Sequence, residues 1–138
     1  MTEKVIDSSA LAVLLLKEEG WRKVKEILRE KPYTIELAVK EVANSIRKRV
    51  KLLRDIDENK ALTILGDLLE LRRTALRIEP QDVYLGQALE IALKNDATIY
   101  DSLFIAQALA KKAILVTSDE KQAEIASRLG IRLIMPEQ

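Results

Sequence analysis

Short apolar runs alternate along this chain with segments of helical spacing, and that alternation restricts the fold more than any other feature. Ala113-Ile114-Leu115-Val116-Thr117 is the clearest run, and Lys4-Val5-Ile6, Tyr33-Thr34-Ile35, Leu76-Arg77-Ile78 and Ile131-Arg132-Leu133-Ile134 read as further short strands. Ala97-Thr98-Ile99 reads as one more brief extended segment. Between these runs, apolar residues recur three and four positions apart. The spacing predicts helices over Ser8 to Lys17, Gly20 to Lys31, Glu36 to Arg54, Asp57 to Arg73, Asp82 to Lys94, Ser102 to Lys111 and Asp119 to Leu129. Strands this short and apolar, each followed by helix, predict an α/β fold with a central, mostly parallel sheet flanked by α-helices. There is no internal repeat, low-complexity tract or Gly/Pro/Ser-rich linker, so residues 1–138 read as a single domain.

Two residue types are missing. The chain has no Cys and no His, which excludes disulfides, thiolate nucleophiles, zinc fingers and Ser-His-Asp hydrolysis. Any catalysis must rest on carboxylates, Lys, Arg, Tyr or a bound ion, and carboxylate-only sites select hard cations such as Mg2+ or Mn2+. Lys+Arg 23 against Asp+Glu 22 leaves a formal charge of +1, so neither a basic tail nor an acidic solvating segment dominates. Ala10 to Leu16 is too short to span a membrane and lacks the pattern of a signal peptide, so a cytoplasmic protein is expected.

The acidic residues fall where such a fold binds ligands. Asp7 follows Val5-Ile6, and Asp119 follows the strand ending at Thr117, which places both at the carboxyl edge of the sheet. Asp101 follows Thr98-Ile99 and precedes a helix, whereas Glu41 lies within one. Each has a purely structural reading as well: Asp at a strand-to-helix junction is a favoured N-cap, and Glu41 can be a solvated helix position. Taken together, Val5-Ile6-Asp7-Ser8-Ser9-Ala10-Leu11, Glu41-Val42-Ala43-Asn44, Tyr100-Asp101-Ser102-Leu103-Phe104-Ile105-Ala106 and Val116-Thr117-Ser118-Asp119 resemble, in order and spacing, the PIN-domain ribonucleases. The resemblance is strongest to the VapC toxins of prokaryotic toxin–antitoxin pairs, and it covers essentially the whole chain. It implies a PIN-like fold with Asp7, Glu41, Asp101 and Asp119 converging as the catalytic and metal-holding acids. It also implies RNA as substrate, a cognate VapB-type antitoxin and a homodimer. Ser9 and Thr117 fall where the family often has a hydroxyl beside the acids, and Asn44 lies one turn from Glu41; each also reads as an ordinary helix or strand-end residue.

The chemistry agrees with the residue types. Phosphodiester hydrolysis needs an activated water and neutralisation of charge on phosphate oxygens, and Mg2+ or Mn2+ supplies both. Clustered carboxylates repel one another unless a cation or a proton offsets them. Arg47, Lys48, Arg49 and Lys51 continue the helix that carries Glu41, so they are candidates for RNA phosphate contacts, with a solvated helix face as the alternative. Leu52, Leu53, Ile56, Leu62, Leu65, Leu68 and Leu69 form either a groove for a partner helix or a homodimer face, or else the seam between two helices. Competing functions are an RNA-processing nuclease that is not a toxin and a non-catalytic binding module of the same fold. A receiver-type signalling domain fits worse, because acid stands at the end of the late strand where that fold needs Lys.

Overall fold

Strands of two or three residues are enough here because the central ones are buried between helices and all are paired on a parallel ladder. The computed structural model describes residues 2–138. In it, β1 (Lys4–Ile6), β2 (Tyr33–Ile35), β3 (Arg77–Glu79), β4 (Ile114–Val116) and β5 (Leu133–Ile134) form one sheet in the order β3-β2-β1-β4-β5, and every pairing is parallel. Val5 stands opposite Tyr33 on one side and Leu115 on the other, at the centre of the sheet. The predicted α/β fold with a central parallel sheet is the observed one.

Connectivity decides where the crevice opens. The chain steps outward from β1 to β2 to β3 through α1 (Ser8–Leu15), α2 (Trp21–Leu28), α3 (Glu36–Lys51) and α4 (Glu58–Thr74). It then crosses back through a 3-10 turn (Gln81–Tyr84), α5 (Leu85–Asn95) and α6 (Ile99–Lys111) to β4, and through α7 (Glu120–Arg128) to β5. Right-handed crossovers in opposite directions put α1–α4 on one face and α5–α7 on the other. The direction reverses between β1 and β4, so the crevice lies beyond the carboxyl ends of these two strands.

The core is aliphatic. Ile6, Leu11, Ile35, Leu68, Phe104, Ile105, Leu115 and Ile125 are fully buried, each contributing about 1.5–3 kcal/mol from apolar area removed from water. One polar group ties the back helix to the sheet: the buried Gln107 of α6 donates through Nε2 to the Thr34 carbonyl (3.0 Å) and to Glu79 Oε1 (2.9 Å). That anchor fixes the helix that presents Asp101.

The structure corrects two local readings. Ala97-Thr98-Ile99 is no strand, because the Thr98 side chain accepts from the Asp101 amide and caps α6, so Ile99 is already helical. Asp101 therefore sits in a first helical turn rather than at a strand end. The leucine-rich segment also divides between the two readings offered for it: Leu68 is buried and Ile56 and Leu65 pack on the core, while Leu52, Leu53, Leu62 and Leu69 remain exposed. Among the described residues no helix is long and apolar enough to cross a membrane.

Candidate active site

Asp7 is the buried centre of the site. It caps α1 in extended conformation, and its own amide extends the ladder by donating to the Val116 carbonyl at 3.1 Å. Its side chain is 2% exposed. Oδ1 accepts from the Ala10 amide (3.0 Å) and from Ser9 Oγ (2.7 Å). Oδ2 accepts from Thr117 Oγ1 (2.5 Å) and from Gln122 Nε2 (2.9 Å). A carboxylate offers about four acceptor positions, so Asp7 is fully subscribed. Burial pushes its carboxyl from 3.8 up to about 6 despite these donors, and the neighbouring Asp119 charge adds to the effect.

The two hydroxyls beside Asp7 work as junctions. Ser9 Oγ also accepts from the Ser118 amide (2.8 Å) and stands 3.3 Å from Thr117 Oγ1. Thr117 Oγ1 accepts from the Asp119 amide at 3.0 Å. Asp119 in turn caps α7 by accepting from the Gln122 amide at 2.9 Å. The ends of β1 and β4 are thus tied together through side chains, which holds the crevice in one shape.

The other acids line the crevice itself. Glu41 from α3, Asp101 from α6 and Asp119 share one cleft with Ser8, Ser9, Lys40, Asn44, Ser45 and Lys48. Ser8 Oγ donates to Glu41 Oε1 at 2.8 Å. Burial raises the Glu41 carboxyl above its ordinary value, and Asp101 raises it further; Asp101 is itself raised by burial and then by Asp119. Like charges therefore sense one another in series, Asp7 to Asp119 to Asp101 to Glu41. Among the described residues, however, no group of three or more acidic side chains closes around a single point where an ion would sit.

The basic run splits by helix face. Lys48 lines the cleft and so does Lys40, two turns earlier, which the sequence reading omitted. Arg49 turns away, pairing with Asp55 (2.7 Å) and Glu18 (3.3 Å), and Lys51 lies 3.9 Å from Glu58. Arg47 is exposed and does not line the cleft. Gln122 and Ser8 were also missed. Gln122 did leave a trace in the sequence: it stands on the apolar stripe of its helix, three residues before Ile125.

Comparison with known proteins identifies the family. The PIN domain model matches residues 4–128. Ribonuclease VapC3 of Pyrobaculum aerophilum is 33% identical over 124 residues, which is 87% of this chain and 92% of the relative. The chain is a PIN domain of the VapC family. Its fold resembles that of PAE2754 from Pyrobaculum aerophilum, with a TM-score of 0.69 at 24% identity over 96% of this chain and 83% of that one. It likewise resembles DNA-bound VapBC from Salmonella typhimurium, with a TM-score of 0.62 at 16% identity over 97% and 98% of the two chains.

The donors of this PIN domain are all hard oxygens, from carboxylates and hydroxyls, and Lys40 and Lys48 bring positive charge to the same cleft. Such a set suits Mg2+ or Mn2+, which keep several waters and use few carboxylates directly. Acids spread around a cleft fit that mode of binding better than they fit a dehydrated cage.

Proposed function

We propose that this PIN domain is an endoribonuclease dependent on Mg2+ or Mn2+, and the toxin of a VapBC-type toxin–antitoxin pair. The observation that carries the reading is the cleft at the reversal of the sheet, with Glu41, Asp101 and Asp119 on its walls and Asp7 beneath. The ribonuclease name of the relative at 33% identity supports the same class of reaction.

In this reading Asp7, Glu41, Asp101 and Asp119 hold the cation, some directly and some through water. A divalent ion bound there supplies charge neutralisation at the phosphate and lowers the pKa of a water beside it. The protein's own groups do the rest. Thr117 and Gln122 keep Asp7 in place, and Ser8 pins Oε1 of Glu41, leaving Oε2 to accept the proton of the attacking water. The raised Glu41 carboxyl makes it a better base at neutral pH than an ordinary glutamate. Asn44 lies between Lys40 and Lys48 on one face of α3, and these three extend about 12 Å along the helix to contact the RNA backbone. Arg47, Arg49 and Lys51 contribute less to that contact because of where their side chains lie.

Partners follow from exposed leucines. Leu52 and Leu53 after α3, with Leu62 and Leu69 on α4, are 67%, 66%, 67% and 44% exposed, and we assign this surface to the apolar face of an antitoxin segment. Leu85, Leu89 and Leu93 recur every fourth residue along α5, also exposed, and are assigned to the homodimer. The solved relatives include VapBC assemblies from Salmonella typhimurium and Rickettsia felis.

The test is cleavage of a mixed RNA pool by purified protein with Mg2+, Mn2+ or EDTA, beside Asp101→Asn prepared identically. Metal-dependent cutting that the variant loses is the expected result. Cutting that persists in EDTA or in the variant would refute the carboxylate–metal mechanism, and folded, antitoxin-free protein that never cuts would point to a binding module.

A further inference from the structure

Asp7 has no acceptor position to spare, yet the proposed function needs it to take a cation. Its four donors are not equivalent. The Ala10 amide is backbone in the first turn of α1 and cannot leave without opening the helix. Thr117 Oγ1 is held at its other side by the Asp119 amide. Gln122 Nε2 reaches Oδ2 from α7, on a side chain only 3% exposed and away from the cleft lining. Ser9 alone both lines the cleft and has a second acceptor at hand, Thr117 Oγ1 at 3.3 Å. A threonine hydroxyl carries one hydrogen and two lone pairs. Thr117 can therefore accept from Ser9 and from the Asp119 amide while still donating to Asp7.

Gln122 has a second feature, which it shares with Gln107. Its Oε1 is buried with no hydrogen-bond partner, although its Nε2 is well placed. A stranded buried carbonyl costs about 1–3 kcal/mol. An apolar residue of similar size would escape that cost, so the fold alone gives no reason for an amide at this position. The bond to Asp7 does give one.

We propose that Gln122 is a positioning residue that, with Thr117, clamps Oδ2 of Asp7 so that Oδ1 is the oxygen presented to the cation, with the Ser9 hydroxyl as the donor that gives way. This inference rests on the reading of the cleft as a metal site. Outer-shell partners of this kind orient a ligand carboxylate and affect metal affinity about 10–100-fold.

The experiment is Mn2+ titration of the full chain by calorimetry, with thermal denaturation in EDTA as the readout of fold. Gln122→Leu is expected to weaken Mn2+ binding about tenfold or more, while melting in EDTA close to the wild-type temperature, because relief of the stranded carbonyl offsets the bond lost at Asp7 Oδ2. Ser9→Ala, which removes the yielding donor, is expected to retain Mn2+ binding, with the loss of the Ser118 amide's acceptor showing as a lowered melting temperature. A merely structural Gln122 would give the reverse pattern, a lowered melting temperature with unchanged Mn2+ affinity, and that result overturns the clamp alone. A Ser9→Ala protein that loses Mn2+ binding overturns the choice of Oδ1. Wild-type protein that binds no Mn2+ overturns the metal site and the clamp with it.

Discussion

Replacing Asp7 by Asn should stabilise the metal-free protein while abolishing the metal-dependent cleavage proposed above. Burial, reinforced by Asp119, holds the Asp7 carboxyl at about 6 against an ordinary 3.8. The folded chain therefore binds more protons than the unfolded chain between those two values, and its stability rises as pH falls through that window. The cost of the ionised group is fully present above about pH 6 and gone below about pH 4; at pH 7 it amounts to about 3 kcal/mol. Asn retains Oδ1 as the acceptor for Ala10 and Ser9. Its new Nδ2 faces Gln122, whose amide can turn to offer the Oε1 that now lacks a partner. Losing charge-assisted bonds from Thr117 and Ser9 offsets part of the gain, about 1–2 kcal/mol. The net expectation is a variant more stable by about 1–2 kcal/mol at pH 7.5 in EDTA, or about 3–8 °C in melting temperature. The assay is thermal denaturation followed by circular dichroism from pH 4.5 to 8, comparing variant with wild type at each pH. The difference should shrink towards acid, because Asp7 then takes up its proton. A variant less stable than wild type at pH 7.5, or a difference independent of pH, would refute the electrostatic reasoning.

Other expectations are more local. Lys40→Gln with Lys48→Gln should raise KM for RNA with little change in kcat and reduce the salt slope of binding by about 1.4, whereas Arg49→Gln should leave KM near the wild-type value; binding titrations over a salt series decide this. Gly20→Ala should lose about 1–3 kcal/mol in chemical denaturation, because Gly20 has φ +93 and an added Cβ would lie 2.6 Å from the Pro136 carbonyl. Mg2+ affinity should weaken as pH drops below about 6, since protons then compete for Asp7, with the raised Glu41 and Asp101 acting in the same direction; Mg2+ titrations over a pH series measure it. Leu89→Glu with Leu93→Glu should convert a dimer to monomer in light scattering, without lowering the melting temperature of the protomer.

Much of the site was legible because the acids stand beside strong local signals. Asp7 and Asp119 follow apolar runs that can only be strands, and each also caps the next helix. Asp101 was found but misplaced by a turn, since Thr98 is β-branched and resembles strand until its hydroxyl is seen to cap α6. The basic run on α3 shows what local pattern cannot supply. Four cationic residues within the stretch 47–51 look alike in sequence, yet α3 rotates them by about 100° per residue, so Lys48 reaches the cleft while Arg49 reaches Asp55 and Glu18.

The alternation of strand and helix, the exclusion of thiol and imidazole chemistry, and the order of the acids along the chain depend on residue type and short-range spacing alone, so all three can be read without a structure. Long-range packing is what makes β1 and β4 neighbours, brings Gln122 to Asp7 across 115 residues of chain, and sets Lys40 in one cleft with Asp101. Those pairings come from the way helices on two faces of one sheet close over its reversal point. No periodicity within a segment records which distant segment will be packed against it.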